Sequence, residues 1–385
     1  MRALVSTRPG TPVLTELPAP EPGPGEVFVR VRAALTCGTD LKIARRGHPR
    51  FPFPLTLGHE WAGVVEKAGA GAGWPEGTRV TSTVSAPCGA CAACGAGCEN
   101  LCAPAWEKPL FGAFADFLLV PSHLAKRGLR RIPDGMPDET AALLDPLASV
   151  VHALARAGDT RGKDVLIAGT GPIAAMMFFL LRGNERREKS AAARRIVIAG
   201  RREERLRFFL ERGASAARIV PSPRTGGADA EAPIFTFEEN PRSFSLVIDT
   251  TGDAGVIEAL PALAADGGTV LLFAGLAAGA RVSIDAHAAH YREVSVVGSF
   301  HYTPREADEA LALLASGAIP AADIVPQRRP LAAWEEAFEL ARGTALKVAL
   351  VPLGRCGPSS RAERTRSPSS HARCRRSARA RSSSR

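Results

Sequence analysis

The chain has 385 residues, of which 45% are hydrophobic and 23% are charged, as in ordinary soluble globular proteins. This length predicts about two domains, because a single hydrophobic core stops growing at roughly 250–300 residues. The chain contains no uninterrupted run of about 18 apolar residues, and it begins with a strand pattern rather than a signal peptide. We therefore expect a cytoplasmic protein with no transmembrane helix and no membrane partner.

The net charge of +10 is concentrated near the C-terminal end of the sequence. Residues 355–385 contain ten arginines and one glutamate, so this Ser- and Pro-containing segment carries +9 and the rest of the chain +1. Such a composition cannot bury enough apolar surface to build a core, and a disordered basic tail is expected. The nearly neutral remainder argues against a specific nucleic-acid partner.

The first half of the chain has the pattern of short strands separated by Pro- and Gly-rich turns. Strands are predicted at 13–17, 26–32, 63–66 and 79–84, and the segment 26–32 alternates apolar and polar residues as a half-buried strand does. The first half is therefore predicted to be an all-β, barrel-like domain that carries loops.

From about residue 140 the pattern changes to strands that alternate with helices. After a predicted helix at 140–157, strands are expected at 164–168, 195–199, 246–249 and 269–273, and helices at 172–181, 203–212 and 256–265. This alternation predicts an α/β fold whose parallel sheet is covered by helices on both faces.

The closing segment is predicted to return to the β domain. It contains a helix that begins at 306, a helix at 334–342 and a strand at 347–351. Two further segments, 184–194 and 222–243, have the composition of inserted surface loops.

Five of the eight cysteines lie close together in the first half. Four have the spacing Cys88-x2-Cys91-x2-Cys94-x7-Cys102, with which four thiolates can close a tetrahedral zinc site of the structural type. In a chain without a secretion signal, such clustering favours a metal over disulfides. Cys98 is a spare thiol that could compete for the metal, and we leave it out of the ligand set.

A second group of metal-binding side chains lies earlier in the sequence. Cys37, His59 and Glu60 supply a thiol, an imidazole and a carboxylate, which zinc prefers. Thr39 adds a hydroxyl two residues after the thiol, as metal-activated alcohol chemistry requires. The alternative is a buried free cysteine and a surface Gly-His-Glu turn.

A glycine-rich turn at residues 169–174 lies between a predicted strand and a predicted helix. There, Gly169 and Gly171 let the backbone approach a pyrophosphate at the helix N-terminus. The next strand ends in Gly200 where an NAD site would have an acidic residue, and Arg201 and Arg202 follow. This favours the 2′-phosphate of NADP over NAD; the alternative is that both arginines face solvent.

Taken together, these motifs make residues 1–353 similar to the zinc-containing medium-chain dehydrogenase/reductase superfamily, in its sorbitol-dehydrogenase-like polyol branch. Further matching segments are 145–148, 249–252, 297–300 and 347–348. The resemblance implies a GroES-like catalytic domain, a Rossmann domain and an active site in the cleft between them. The catalytic domain is expected at 1–150, with a zinc lobe at about 86–104, and the Rossmann domain at 151–290. Residues 291–354 would return to the catalytic domain, and 355–385 would form the disordered basic tail.

The resemblance also implies the roles of individual residues. Cys37 and His59 would bind a catalytic zinc, and Glu60 and Asp145 would complete its coordination directly or through water. Thr39 would accept the substrate proton, although Lys42 stands where many relatives have a histidine and Asp145 where most have a glutamate. The residues expected to bind the cofactor are Gly169, Gly171, Pro172, Ile173, Gly200, Arg201, Arg202 and Thr250.

The predicted function is hydride transfer between a secondary alcohol or polyol and NAD(P), with NADP preferred and two zinc ions per chain. One alternative is a cyclitol or aminocyclitol dehydrogenase of a biosynthetic pathway. Another, from a different class, is a zinc-ribbon nucleic-acid-binding protein. The segments 290–293 and 300–304 look like those of relatives acting on sugars and cyclitols, but they could equally pack domains or subunits together. A homodimer or homotetramer is expected.

Overall fold

The computed structural model describes residues 1–48, 50–183, 192–219 and 242–352. The predicted insertion at 184–194 falls outside these ranges except for its last three residues, and the one at 222–243 except for its last two. The predicted basic tail at 355–385 lies wholly outside them. No helix within these ranges is long and apolar enough to cross a membrane.

The N-terminal part consists mainly of antiparallel strands. They are β1 (Arg2–Ser6), β2 (Pro12–Glu16), β3 (Val27–Leu35), β4 (Leu55–Thr56), β5 (Trp61–Ala68), β6 (Arg79–Ser82), β7 (Phe117–Val120) and β8 (Leu129–Arg131). The helices among and after them are α1 (Gly38–Arg46), α2 (Ala92–Gly95), α3 (Ser122–Arg127), α4 (Asp138–Ala141) and α5 (Leu144–Ala157). The strand predictions for this part are confirmed to within a few residues.

The middle part is a six-stranded parallel sheet in the order β11-β10-β9-β12-β13-β14. Its strands are β9 (Asp164–Ala168), β10 (Arg195–Gly200), β11 (Ala216–Ile219), β12 (Phe244–Asp249), β13 (Ala264–Leu272) and β14 (Ser295–Gly298). Its helices are α6 (Pro172–Arg182), α7 (Glu203–Glu211), α8 (Ala254–Ala259) and α9 (Ala286–Tyr291). This doubly wound order confirms the predicted α/β class.

The closing segment rejoins the N-terminal part, as predicted. It contains α10 (Pro304–Ala315), α11 (Ala321–Ile324), β15 (Gln327–Pro330), α12 (Trp334–Arg342) and β16 (Val348–Val351). Strand β16 pairs antiparallel with β3, and the seven-stranded sheet runs β15-β16-β3-β5-β6-β8 with β7 also on β3. A residue just before β16 therefore lies beside the end of β3.

Two helix predictions are wrong in their extent, and a proline explains each. The helix predicted at 140–157 is divided into α4 and α5, because Pro146 is tolerated only in the first turn of a new helix. The helix predicted at 256–265 ends early in a short 3₁₀ turn containing Pro261, and β13 has already begun at Ala264.

The apolar core is continuous between the parallel sheet and the N-terminal part. One buried cluster extends from Leu35 and Ala62 through α5 and α6 to Val165 in β9. Burial of this shared apolar surface holds the ends of β9, β10 and β12 in fixed relation to the end of β3. Those strand ends carry the candidate site.

Candidate active site

Cys37 and His59 are brought together at the end of β3 and the start of β5. Cys37 precedes α1, and Asp40 lies in the first turn of that helix. One potential ligand atom from each of Cys37, Asp40 and His59 lies within 4.8 Å of the other two. His59 and Asp40 are buried. Burial acts to lower the pKa of His59, but Asp40 and Cys37 outweigh it and raise that pKa well above its usual value.

The His59 ring is held by Asp40 on its Nδ1 side. Nδ1 lies 3.3 Å from Asp40 Oδ1, which also accepts a 3.0 Å hydrogen bond from Gly58 N. The Cys37 sulfur lies within 4.8 Å of a His59 ring nitrogen, and the thiol contributes to the raised pKa of the ring. A thiol sulfur and an imidazole nitrogen thus lie close together, and the Asp40 carboxylate fixes the orientation of the ring, as carboxylates that hydrogen-bond to zinc-binding histidines do. This donor set fits zinc.

Glu60 forms an ion pair that the sequence did not reveal. Lys347 Nζ donates to Glu60 Oε2 at 2.5 Å and to Thr36 O at 3.2 Å, and both charged side chains are only 1% exposed. Burial opposes the charge of Lys347, but Glu60 and then Cys37 raise its pKa above the ordinary value. A buried ion pair thus lies near enough to interact electrostatically with His59 and Cys37.

Asp145, in the first turn of α5, is held by residues from two other segments. It accepts a hydrogen bond from the Tyr302 hydroxyl and one of 3.2 Å from Val84 N. Burial, reinforced by Asp145, raises the pKa of Tyr302 well above its usual range. Tyr302 follows β14, so this hydrogen bond joins the parallel sheet to the N-terminal part.

His301 makes a similar contact next to Tyr302. Its Nε2 lies 2.8 Å from Ser85 Oγ, and its ring packs against Trp106 at 4.7 Å between centroids. Burial lowers the pKa of His301 to about 4, so the imidazole is neutral near pH 7. His301 has φ 57°, a left-handed conformation that is uncommon for histidine. The segment 300–304 therefore joins the two parts of the chain, whereas Tyr291, in the segment 290–293, is 72% exposed.

A cavity of about 1040 Å³ lies between the N-terminal part and the parallel sheet. Thr39, which follows Cys37 by two residues, is part of its wall. Other polar wall residues include His48, Arg50, Cys98, Glu99, Asn100, Ser149, His152, Arg156, His301, Arg305 and Glu306. A cavity of this size with so many hydrogen-bonding groups suits a small hydroxyl-rich molecule.

The four predicted zinc-lobe cysteines form a compact cluster. The sulfurs of Cys88, Cys91, Cys94 and Cys102 lie within 4.8 Å of one another, and all four are free thiols. Backbone N–H groups of Ala90 and Cys91 donate to Cys88 Sγ at 3.4 Å and lower the pKa of Cys88 to about 6. Burial raises the pKa of Cys94, so the thiolate form is favoured at Cys88 but not at Cys94. Four sulfurs gathered on one loop fit a closed zinc site. Cys98 is exposed and lies outside the group.

A second cavity of about 320 Å³ lies at the carboxyl ends of β9, β10 and β12. A Cβ at Gly169 would lie 2.0 Å from Thr250 Oγ1, and one at Gly200 2.4 Å from Thr170 Cγ2, so these turns need glycine. The predicted residues that line this cavity are Gly169, Gly171, Gly200, Arg201, Arg202 and Thr250. Pro172 and Ile173 instead form the first turn of α6.

Three residues at these sites were not given a role from the sequence. Asp40 belongs to the Cys-Gly-Thr-Asp motif, and only its position behind His59 reveals what it does. Lys347 is distant in sequence from Glu60, so nothing local predicts their pairing. Arg205 also lines the smaller cavity. Its one available signal is a third arginine in the first turn of α7, after Arg201 and Arg202.

Comparison with known proteins agrees with this geometry. Residues 23–133 match the alcohol dehydrogenase GroES-like domain and residues 189–316 the zinc-binding dehydrogenase domain. D-altritol 5-dehydrogenase of Agrobacterium fabrum is 33% identical over 86% of this chain and 93% of its own length. Sorbitol dehydrogenase of Halalkalibacterium halodurans is 29% identical over 92% of this chain and 100% of its own length.

A zinc-binding dehydrogenase of Sinorhizobium meliloti has been solved with bound NADP, and it superposes on this chain with a TM-score of 0.75. The two are 30% identical, and the match covers 91% of this chain and 99% of that chain. The chain belongs to the zinc-containing medium-chain dehydrogenase superfamily, in its sorbitol-dehydrogenase-like branch. The predicted family, the GroES-like and Rossmann folds, and the class of alcohol or polyol dehydrogenase are thereby confirmed. The domain bounds stay a prediction.

Proposed function

We propose that this protein oxidises a secondary hydroxyl of a polyol, or reduces the corresponding ketone, with a catalytic zinc and with NADP as the preferred cofactor. The observation that carries the proposal is the pair formed by half-buried Cys37 and buried His59, together with Thr39, two residues after Cys37, on the wall of a polar cavity of about 1040 Å³. The named activities of the altritol and sorbitol relatives support a polyol rather than a simple alcohol.

In this proposal Cys37 and His59 hold the catalytic zinc, and Glu60 and Asp145 complete its surroundings directly or through water. Asp40 fixes the ring of His59 from behind. Zinc, when bound, supplies a Lewis acid that lowers the pKa of the substrate hydroxyl, and the nicotinamide takes the hydride. The second zinc, for a total of two per chain, is assigned to Cys88, Cys91, Cys94 and Cys102.

The chain's own groups then have separate tasks. The Thr39 hydroxyl accepts the substrate proton and passes it outward. The neutral ring of His301, fixed by Ser85, offers a hydrogen bond to a further substrate hydroxyl at the cavity wall. Lys347 pairs with Glu60 and favours its charged form, which opposes the burial that raises the pKa of Glu60. The clustered free thiols fit a reducing compartment, and we place the protein in the cytoplasm.

NADP preference rests on the charge at the end of β10. Gly200 brings no carboxylate to the cofactor cavity, and Arg201, Arg202 and Arg205 line it. A carboxylate at position 200 would repel a 2′-phosphate, whereas guanidinium groups bind it through charge-assisted hydrogen bonds.

The experiment that tests this function is steady-state oxidation of altritol, sorbitol and inositol with NADP and with NAD. We expect turnover of a hexitol with NADP, and Arg201→Ala should raise the KM for NADP roughly 10- to 100-fold because a hydrogen bond to a charged group contributes about 1.5–3 kcal/mol. The KM for NAD should stay nearly constant. The matched control is Arg207→Ala, an exposed arginine on α7 that pairs with Glu203. Equal effects of Arg201→Ala on both cofactors would exclude this arginine as a phosphate ligand.

We further propose that two copies associate through β14, as part of the expected homodimer or homotetramer. This strand ends the six-stranded sheet, and Val296 on it is exposed. Tyr291 and Phe300, on either side of the strand, are also exposed large apolar residues. An edge strand flanked by exposed apolar side chains is suited to pairing with a second copy of itself.

A further inference from the structure

Arg202 and Arg205 reach from the cofactor cavity to the end of α12, in the closing segment. Arg202 Nη1 donates to the backbone oxygens of Arg342 and, at 2.6 Å, of Gly343. Arg205 donates to Gly343 O at 2.7 Å, Ala341 O at 3.1 Å and Ala345 O at 3.2 Å. These oxygens belong to the last turn of α12 and the residues directly after it. The two side chains therefore connect the start of α7 to the end of α12.

The contact has a clear physical basis at the helix end. The last carbonyls of a helix have no partner within the helix and carry partial negative charge, so cations are stabilised there. A guanidinium has five N–H donors in a fixed plane and can satisfy several carbonyls at once. Helix α12 lies against β16 of the seven-stranded sheet, so the arginines anchor the cofactor-binding turn to that sheet.

Among the described residues, no ion pair balances the positive charge of Arg202 and Arg205. Asp253 also lines the smaller cavity, but it accepts a hydrogen bond from Val256 N at the start of α8. Neither Arg202 nor Arg205 has a carboxylate partner within the part of the chain that the structure describes. Burial, together with the charge of Arg202, lowers the pKa of Arg205 to about 10. Carbonyl oxygens accept from Nη1 of Arg202 and from Nε and Nη2 of Arg205, but they leave two like charges next to each other at the wall of the smaller cavity. A doubly charged anion in that cavity would compensate both.

We propose that Arg202 and Arg205 form a bridge through which a phosphate group in the cofactor cavity strengthens the attachment of α12 to the cofactor sheet. The inference rests on the proposed NADP function and adds Arg205 as a residue that determines cofactor preference. By linkage, any free energy that the phosphate adds to the attachment of α12 also adds to the affinity for the phosphate. The preference for NADP over NAD therefore depends in part on the backbone carbonyls at the end of α12.

The test uses hydrogen exchange of the amides at Gly343 and Ala345, which donate to Glu339 O at 2.9 Å and Leu340 O at 3.0 Å. The probes are adenosine 2′,5′-bisphosphate and 5′-AMP, each at a saturating concentration on the full chain. We expect only the bisphosphate to slow exchange at these amides, by roughly tenfold. Calorimetry gives the two affinities in parallel.

Variants separate charge from bridging. Arg205→Lys keeps the positive charge but loses the fork of donors, so the slowing should disappear and bisphosphate affinity should fall roughly tenfold with 5′-AMP affinity unchanged. Arg207→Lys on the same helix is the matched control and should behave as the wild type. Melting temperatures of each variant establish that it is folded.

The outcomes distinguish the two proposals. Tighter binding of the bisphosphate with unchanged exchange at Gly343 and Ala345 would overturn the bridge alone. Retained slowing in Arg205→Lys would also overturn it. Equal affinity of the wild-type chain for both nucleotides would overturn the NADP preference, and the bridge would fall with it.

Discussion

Cys37→Ser should lower kcat for hexitol oxidation roughly a thousandfold, without unfolding the chain. The thiolate is one of two donors that lie side by side at the end of β3, and a serine hydroxyl is a much poorer zinc ligand. A zinc ion acting as a Lewis acid contributes several kcal/mol to the transition state, and each 1.36 kcal/mol is about a factor of ten in rate. The measurement is single-turnover hydride transfer, with circular dichroism as the check on folding.

Cys98→Ser is the matched control for that variant. Cys98 is an exposed thiol outside both candidate metal clusters, although it lines the larger cavity, so its replacement by the similarly sized serine should leave kcat unchanged and any effect should be on the KM for the polyol. Near-normal activity of Cys37→Ser would exclude Cys37 as a ligand of the catalytic metal. Equal losses in both variants would show that the loss of activity is not specific to the proposed metal ligand.

Lys347→Met should lower the free energy of unfolding by about 3–5 kcal/mol, because it leaves the Glu60 carboxylate buried without its partner. The double variant Glu60→Gln, Lys347→Met should recover much of this loss, since the uncompensated charge is then gone. Urea unfolding of the zinc-loaded protein measures both. The double variant is still expected to turn over slowly, because Glu60 lies next to the proposed metal ligands.

The matched control for this pair is Lys67→Met. Lys67 pairs with Glu21 at the surface, where the two side chains are 55% and 79% exposed, so the loss should be about 0–1 kcal/mol. A loss for Lys347→Met that is no larger than that for Lys67→Met would contradict the buried ion pair.

Sites built from neighbouring residues could be predicted from the sequence, because short spacing alone brings their groups together. The four cysteines between Cys88 and Cys102 lie on one short loop. Gly169 and Gly171 lie at one strand-to-helix turn, and the structure adds only the close approach of Thr250 to Gly169. At such places the local backbone conformation decides which side chains come together, and the residue types in the sequence indicate that conformation.

Contacts between distant segments could not be predicted in this way. Lys347 reaches Glu60 across 287 residues and Tyr302 reaches Asp145 across 157, and each pairing exists only after β16 or β14 has been placed in its sheet. The direction in which Arg202 points depends on where α12 ends. The sequence therefore predicted the residue types of the site but not the partners that fix Glu60 and Asp145.

The zinc-ribbon alternative assigned the cysteine lobe and the basic tail to nucleic-acid binding. Membership of the dehydrogenase superfamily and the paired Cys37 and His59 give the chain a different site. The cyclitol alternative uses the same residues and differs from the hexitol proposal only in the shape of the larger cavity, so the substrate comparison with inositol separates them.

Zinc content per chain of the purified protein tests the central claim most directly. We predict about two zinc ions in the wild type, one at Cys37 and His59 and one at the four-cysteine lobe. Cys37→Ser and Cys91→Ser should each retain about one. A single zinc in the wild type that persists in Cys37→Ser and is lost in Cys91→Ser would leave only the lobe occupied and would contradict the catalytic zinc.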